Sequence, residues 1–175
     1  METIPFIHRP DQVTAEWLTT VLRAAGAPEA ARVVAVDAEP VGTGQVGDSV
    51  RFRLTWDDPD AGPATVVGKF PTEDETSRAT ASAVRTYEVE TRFYQQLRNR
   101  VDVSAPVPYV AQIDLESHDF VLLMNDLAPA EQGDQIAGCS PDQAALAMEE
   151  AAKLHAPLWG DASLARLDWL DRNAP

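Results

Sequence analysis

Within residues 48–56, apolar residues at positions 50, 52, 54 and 56 alternate with polar ones. This period-two pattern predicts a half-buried β-strand. Four other short segments rich in apolar residues predict further strands; they span residues 32–36, 65–70, 109–115 and 118–124. A turn signal dense in Asp and Pro, at residues 57–63, separates the second strand from the third. The chain therefore predicts five strands.

Apolar residues recur with helical spacing in three longer segments, which cover residues 14–25, 81–100 and 140–159. The third segment begins with Ser140 and Pro141, the residue types preferred at the N-cap and at the first helical position. The polar stretch at residues 72–80 predicts a loop. Together these elements predict an α+β fold. Its centre is a five-stranded antiparallel sheet with a helix inserted between the third and fourth strands.

The net charge of the chain disfavours some classes of binding partner. The 175 residues contain 14 Lys and Arg against 28 Asp and Glu, a net charge of −14. Such a surface opposes binding to nucleic acid or to an anionic membrane. The one cysteine, Cys139, permits no intramolecular disulfide, and the N-terminus has no basic region followed by an apolar run. These features predict a cytoplasmic protein with no membrane partner.

A glycine-rich loop, Gly42-Thr43-Gly44-Gln45-Val46-Gly47, joins the first two predicted strands. The G-x-G-x-x-G spacing has two common contexts. In dinucleotide-binding domains a helix follows it, whereas in kinases a second strand follows it and the loop covers phosphates. A dinucleotide-binding enzyme would require residues 48–56 to be helical, and their alternation favours the kinase-type hairpin instead.

Lys69 lies on the third predicted strand, in Val66-Val67-Gly68-Lys69, a segment comparable to the V-A-I-K pattern of kinases. A lysine at that place supplies positive charge to the α- and β-phosphates of a nucleotide. Glu90, on the helix that follows, is the candidate ion-pair partner of this lysine. Glu88 is the rival candidate, two residues away and so on another side of the helix. The spacing to Phe93-Tyr94 favours Glu90.

Five segments of the chain resemble the small-molecule kinases, the group of aminoglycoside phosphotransferases, choline kinases and ecdysteroid-kinase-like proteins. They are Pro40-Val41-Gly42-Thr43-Gly44, Val67-Gly68-Lys69-Phe70-Pro71, Glu90-Thr91-Arg92-Phe93-Tyr94, Leu122-Leu123-Met124-Asn125-Asp126-Leu127 and Leu154-His155-Ala156-Pro157-Leu158-Trp159. The resemblance extends from about residue 10 to residue 160. The segments Glu90–Tyr94 and Leu154–Trp159 are most similar to the ecdysteroid-kinase-like branch.

The resemblance implies a protein-kinase-like small lobe at residues 31–128. An N-terminal helical extension would occupy residues 1–30, and a linker with the first helix of a truncated large lobe would occupy residues 129–175. The implied nucleotide-binding residues are Gly42, Gly44, Gln45, Gly47, Lys69, Met124, Asn125 and Leu127.

Within this set each residue has an implied role. Lys69 would bind phosphate, with Glu90 as its catalytic partner. Met124 would stand behind the adenine as the gatekeeper, and the backbone of Asn125 and Leu127 would bond its edge. Asn125 departs from the family, which usually has an acidic residue there.

The catalytic loop of the family is missing. That loop is His-Gly-Asp with an asparagine five residues after the aspartate, followed by an aspartate on a later strand, and these groups hold Mg²⁺ and accept a proton. None of the three histidines begins such a motif. Trp159-Gly160-Asp161 is followed at the critical position by Arg166, which is the wrong residue type. His155 and Trp159 are instead expected to pack in a core.

The chain is therefore expected to be the ATP- or GTP-binding lobe of a phosphotransferase and to be inactive alone. Its metal ligands would lie outside the chain, and the acceptor in the full-length protein would be a small-molecule hydroxyl. A non-catalytic nucleotide-sensing or assembly module is the alternative. Because a partial lobe leaves apolar surface uncovered, notably along residues 141–159, we also expect self-association into a homo-oligomer.

Overall fold

A five-stranded antiparallel sheet organises the computed structural model, which describes residues 3–42 and 46–171. The strands are β1 (Val33–Pro40), β2 (Gly47–Trp56), β3 (Thr65–Pro71), β4 (Pro108–Ile113) and β5 (Phe120–Asn125). Their spatial order is β1-β2-β3-β5-β4, so β3 lies at the centre. All four pairings are antiparallel. The sequence prediction of an α+β fold with this sheet is confirmed.

One face of the sheet packs against the N-terminal helix α1 (Ala15–Ala24). The Thr14 side chain caps this helix by accepting a hydrogen bond from the Trp17 backbone N–H at 3.1 Å. The alternating residues of β2 and β3 meet the helix in a buried apolar cluster, which includes Trp17, Leu18, Val21, Leu22, Val50, Phe52, Val66, Phe70 and Leu123. The alternation seen in the sequence thus selects the residues that face the core.

The opposite face of the sheet is covered in part by two helices, α2 (Glu75–Ala83) and α3 (Thr86–Arg92). The chain continues from α3 as a π-helical turn, Phe93–Leu97, and a 3₁₀ turn, Arg98–Arg100. A second apolar cluster forms between these helices and the sheet, from Ala81, Tyr87, Phe120, Leu122 and Met124. We call this side of the sheet the Lys69 face; it is defined by Ser49, Arg51, Val67, Lys69, Leu122 and Met124, which lie opposite one another in the strand register.

One sequence prediction in this region is wrong, and a second is confirmed only in part. Residues 72–80 were expected to form a loop, but α2 begins there because the Asp74 side chain accepts a hydrogen bond from Ser77 N–H at 2.8 Å and caps the helix. The helix expected at residues 81–100 is broken at Arg85, whose φ of 57° is left-handed. Val84, directly before this break, is exposed.

The last long helix, α4 (Pro141–His155), begins at the predicted place with a capping box between Ser140 and Gln143. Short 3₁₀ turns follow at Ala156–Leu158, Ala162–Arg166 and Asp168–Leu170, and another precedes α1 at Pro10–Gln12. No residue of α4 is buried. Polar contacts fasten the helix to the chain before β4, among them Ser104 N–H to Glu150 at 2.6 Å.

The expected apolar exposure along residues 141–159 is confirmed, with Leu146 at 61% and Met148 at 67% of full exposure. The expectation that His155 and Trp159 pack in a core is wrong, since both are exposed. No described part of the chain covers the outer side of α4. Across residues 3–42 and 46–171, no helix is long and apolar enough to cross a membrane.

Candidate functional site

Lys69 and Glu90 form an ion pair on the Lys69 face of the sheet. Because Val66, Gly68 and Phe70 point to the α1 side, the alternation of β3 turns Lys69 toward α3. Lys69 Nζ donates a hydrogen bond to Glu90 Oε1. Their side chains are 30% and 28% exposed, so water and ligands can reach the pair. A partly exposed pair of this kind contributes roughly 1 kcal/mol or less to stability.

Glu88, the rival partner, faces elsewhere. Its carboxylate pairs with Arg85 Nε at 2.9 Å and with Arg92 Nε at 2.9 Å, one turn away on either side. Glu90 has Tyr94 one turn further along, and burial, with a smaller contribution from the Glu90 charge, raises the pKa of the Tyr94 phenol. The geometry therefore selects Glu90 as the contact of Lys69.

Met124 lies on the same face as Lys69, one residue pair further along the sheet. In the register Lys69 is opposite Leu122, and Val67 is opposite Met124. Met124 is 6% exposed and packs in the second apolar cluster. An apolar wall that is almost closed to solvent at Met124 therefore adjoins the lysine, and nucleotide sites place charged groups beside apolar surface in this way.

Residues 125–127 leave the sheet beside this wall. Asn125 is fixed to the segment before β4, because its Oδ1 accepts from Val107 N–H at 2.6 Å and its own N–H donates to the Val107 carbonyl at 3.0 Å. The Leu127 carbonyl accepts from Ala130 N–H at 2.9 Å. Within the described ranges, the Leu127 N–H has no hydrogen-bond partner, and the residue is 48% exposed. A donor is thus available to a ligand at this place.

The glycine hairpin is described at its two ends. Gly42 has a φ of +77°, which favours glycine, and a Cβ built there would meet nothing within 4 Å. Gly47 opens β2, where a Cβ would meet the Phe70 carbonyl at 3.1 Å. Gly44 and Gln45, the other predicted members of the loop, lie outside the described residues.

Tyr87 ties the end of the glycine hairpin to α3, a role that sequence reasoning missed. Its hydroxyl donates a hydrogen bond to the Val46 carbonyl, and its ring packs on Phe120 with centroids 4.7 Å apart. Tyr87 is 2% exposed, and burial is the largest cause that raises the pKa of its phenol. Tyr87 and Glu90 are three residues apart and share one side of α3. That spacing is the signal that could have identified it.

Replacing Tyr87 with Phe removes the hydroxyl and leaves the Val46 carbonyl without this donor. We expect the free energy of unfolding to fall by about 1–2 kcal/mol, the cost of losing one buried hydrogen bond. Urea denaturation followed by circular dichroism measures the change. The matched control is Tyr109→Phe, since the Tyr109 ring packs on the first cluster. Equal stabilities for the two variants would contradict the role given to the Tyr87 hydroxyl.

Asp126, which the sequence prediction passed over, is the most constrained carboxylate near the site. Arg51 on β2 donates to both of its oxygens, from Nε at 2.6 Å and from Nη2 at 3.2 Å. The Ala128 N–H donates to it at 3.0 Å. Its side chain is only 7% exposed. The Arg51 hydrogen bond is the largest cause that lowers the pKa of Asp126 to about 2, from an ordinary value of 3.8.

This lowered pKa predicts an acid dependence of stability. A carboxylate whose pKa falls on folding stabilises the protein above its unfolded pKa, and that contribution is lost as the pH falls from about 4 to about 2. The shift corresponds to about 2 kcal/mol. We therefore expect the unaltered chain to lose up to about 2 kcal/mol more than Asp126→Asn between pH 5 and pH 2. Asp11→Asn is the control, because Asp11 is 73% exposed.

Parallel curves of unfolding free energy against pH for the unaltered chain and Asp126→Asn would contradict the assignment. Urea melts at four or five pH values supply these curves. Asp11→Asn should follow the unaltered chain throughout, since its surface pair with Arg9 is screened by solvent.

The described residues line several cavities, two of which have volumes of about 490 Å³. One lies against the glycine hairpin and is lined by Pro40, Val41, Gly42, Gly47 and Ser49, among others. The other is apolar and lies between the π-helical turn and the end of α4, beside Trp159.

No cluster of three or more His, Cys, Asp or Glu that could hold a metal ion occurs in the part of the chain that the structure describes. Lys69 supplies a positive charge of the kind that binds anionic phosphate. A scan of the sequence against protein-family models finds no matching model, and a search of curated proteins finds no match.

Proposed function

We propose that this chain binds ATP or GTP on the Lys69 face of its sheet, as the nucleotide-binding lobe of a small-molecule kinase. The observation that carries the proposal is the Lys69–Glu90 ion pair, which lies beside the Met124 wall and the glycine hairpin. A solvated lysine with no partner would not call for this interpretation. The fold is analogous to the small lobe of protein-kinase-like proteins, but the residues of the site, and not the fold, support this function.

Each of these residues has a separable part in binding. Lys69 places a positive charge where the α- and β-phosphates would lie, and Glu90 restrains the lysine side chain. Gly42 leaves its surroundings open, so that the backbone can approach a phosphate closely. The nearly buried Met124 would close the apolar side of the base site from behind, and the Leu127 N–H offers the base a hydrogen bond.

Phosphoryl transfer would need more than this lobe. The described residues contain no cluster of three or more His, Cys, Asp or Glu that would hold Mg²⁺. In this proposal the acceptor of the γ-phosphate is a small-molecule hydroxyl, and the residues that bind it are not among those named here. The contribution of the chain is to bind and orient the nucleotide, while the metal and the proton acceptor come from groups outside the described residues. A non-catalytic nucleotide-sensing module would use the same binding site.

The proposal is tested by the thermal stability of the purified chain with Mg-ATP or Mg-GTP. A ligand at a hundred times its dissociation constant stabilises the folded state by about 2.7 kcal/mol. For a chain of this size the melting temperature should rise by about 5–10 °C. Lys69→Ala should abolish most of the rise. Lys153→Ala, which removes an exposed lysine on α4 paired with Glu150, should leave it intact.

A melting temperature that does not change with either nucleotide would overturn the proposal. A rise of the same size in the unaltered chain and in Lys69→Ala would show a nucleotide bound elsewhere. Self-association through the exposed apolar side chains of α4 stays a separate prediction, and a monomeric mass by light scattering at micromolar concentration would contradict it.

A further inference from the structure

We propose that Arg51 and Asp126 form a positioning pair that holds residues 125–127 in place for the nucleotide base. The inference rests on the proposed function and assigns a separate role to each of two residue pairs. Lys69, restrained by Glu90, would bind the phosphates, and the pair of Arg51 and Asp126 would position the backbone that binds the base. Neither Arg51 nor Asp126 needs to touch the ligand.

The pair reaches across the centre of the sheet. Arg51 lies on β2 opposite Val67 of β3, and Val67 in turn lies opposite Met124 of β5. The guanidinium therefore spans β3 to meet a carboxylate that directly follows β5. Both oxygens of Asp126 are engaged by the same arginine, a fork geometry that fixes orientation as well as distance.

Asp126 is held from further directions as well. The Ala128 N–H donates to Oδ1 at 3.0 Å, and a hydrogen bond with the Thr65 side chain also helps to lower the pKa of the carboxyl. The side chain of Asp126 is 7% exposed and that of Arg51 is 25% exposed. A pair this enclosed is screened less by solvent than the Arg53–Glu39 pair on the same face, whose side chains are 59% and 50% exposed.

The restraint acts on the residue that carries the free donor. Asp126 lies between Asn125, which is fixed to Val107 by two hydrogen bonds, and Leu127, whose N–H has no partner within the described ranges. Fastening the Asp126 carboxylate to the sheet limits rotation of the backbone that presents the Leu127 N–H. A donor fixed before the ligand arrives costs less ordering on binding, and this is the basis of preorganisation.

A merely structural pair would behave differently from a positioning pair. Loss of a structural pair would lower the melting temperature but leave the affinity of the folded chain for its ligands unchanged. Loss of a positioning pair lowers the affinity for every ligand that contains the base, whether or not the ligand carries phosphate. Loss of Lys69, by contrast, weakens only the ligands that carry phosphate.

The test is calorimetric titration of the full chain with Mg-ATP and, separately, with adenosine. The variants are Arg51→Met, Asp126→Asn and the double variant, with Arg53→Met as the matched control on the same strand and face. We expect each single variant to lose affinity about tenfold, by the same factor for both ligands. The double variant should lose no more than either single variant, because the two residues act through one contact. Arg53→Met should match the unaltered chain.

The outcomes separate this inference from the proposed function. An unaltered chain that binds neither ligand overturns both. If the unaltered chain binds Mg-ATP and Arg51→Met binds both ligands as tightly as the unaltered chain does, only the positioning role is overturned. A loss of affinity for Mg-ATP alone, with adenosine binding unchanged, overturns the positioning role as well. Each titration is run below the melting temperature of its variant. If Asp126→Asn does not fold, Thr65→Val removes one hydrogen bond from the carboxylate and should show the same pattern in smaller measure.

Discussion

A chain carrying Lys69→Ala is expected to bind Mg-ATP about a hundredfold more weakly than the unaltered chain, a loss of about 2.7 kcal/mol. The reason is that Lys69 supplies the positive charge on the face where the phosphates would lie, and charge-assisted hydrogen bonds are the strong ones. Adenosine, which has no phosphate, should bind both chains alike. Calorimetric titration with the two ligands measures both affinities.

Glu90 completes this prediction, because it would act through Lys69 rather than on the nucleotide. Glu90→Ala should cost about tenfold in affinity for Mg-ATP, and the double variant should be no weaker than Lys69→Ala alone. Glu88→Ala is the control, since Glu88 pairs with Arg85 and Arg92 instead. Losses that simply add in the double variant would mean that Glu90 and Lys69 act independently.

The second large effect is on stability and concerns Gly68, at the centre of β3. A Cβ built at this position would lie 2.8 Å from a ring carbon of Phe70 and 3.0 Å from one of Phe52. These rings pack edge to face, with centroids 6.3 Å apart, in the first apolar cluster. Because both rings are at most 1% exposed, neither can move aside without disturbing the core. Gly68→Ala should therefore cost about 2–3 kcal/mol in unfolding free energy.

Gly133→Ala is the matched control for this substitution. A Cβ at Gly133 would meet nothing within 4 Å, and its backbone φ lies outside the left-handed region. Its unfolding free energy should stay within about 0.5 kcal/mol of the unaltered chain. If urea denaturation gave Gly68→Ala the same unfolding free energy as Gly133→Ala, this would contradict the close packing of the Phe52 and Phe70 rings against β3.

The sheet could be predicted from the sequence because each strand carries its own local signal. Alternation at residues 48–56 fixes which side chains of β2 face the core, and the same register places Lys69 on the opposite face. The helical region between β3 and β4 was predicted poorly, since its limits depend on local geometry. The Asp74 side chain caps α2 within a polar stretch, and the left-handed backbone of Arg85 separates α2 from α3.

The site divides in the same way. The pairing of Lys69 with Glu90 follows from one strand and one helix, so spacing alone could suggest it. The contact of Arg51 with Asp126 joins residues 75 positions apart, one on β2 and the other directly after β5, with β3 between them. No pattern in a single sequence predicts such a contact. The hydrogen bond from the Tyr87 hydroxyl to the Val46 carbonyl likewise joins α3 to the distant hairpin, and no local pattern around Tyr87 predicts it.

The most direct test of the central claim is a nuclear magnetic resonance titration of the ¹⁵N-labelled 19.0 kDa chain with Mg-ATP. The account predicts saturable shifts at the backbone amides of Gly42, Lys69 and Leu127, which surround the proposed site, and no shifts along α4. Amide signals that stay unchanged at saturating Mg-ATP, or shifts confined to the apolar cavity beside Trp159, would contradict nucleotide binding on the Lys69 face.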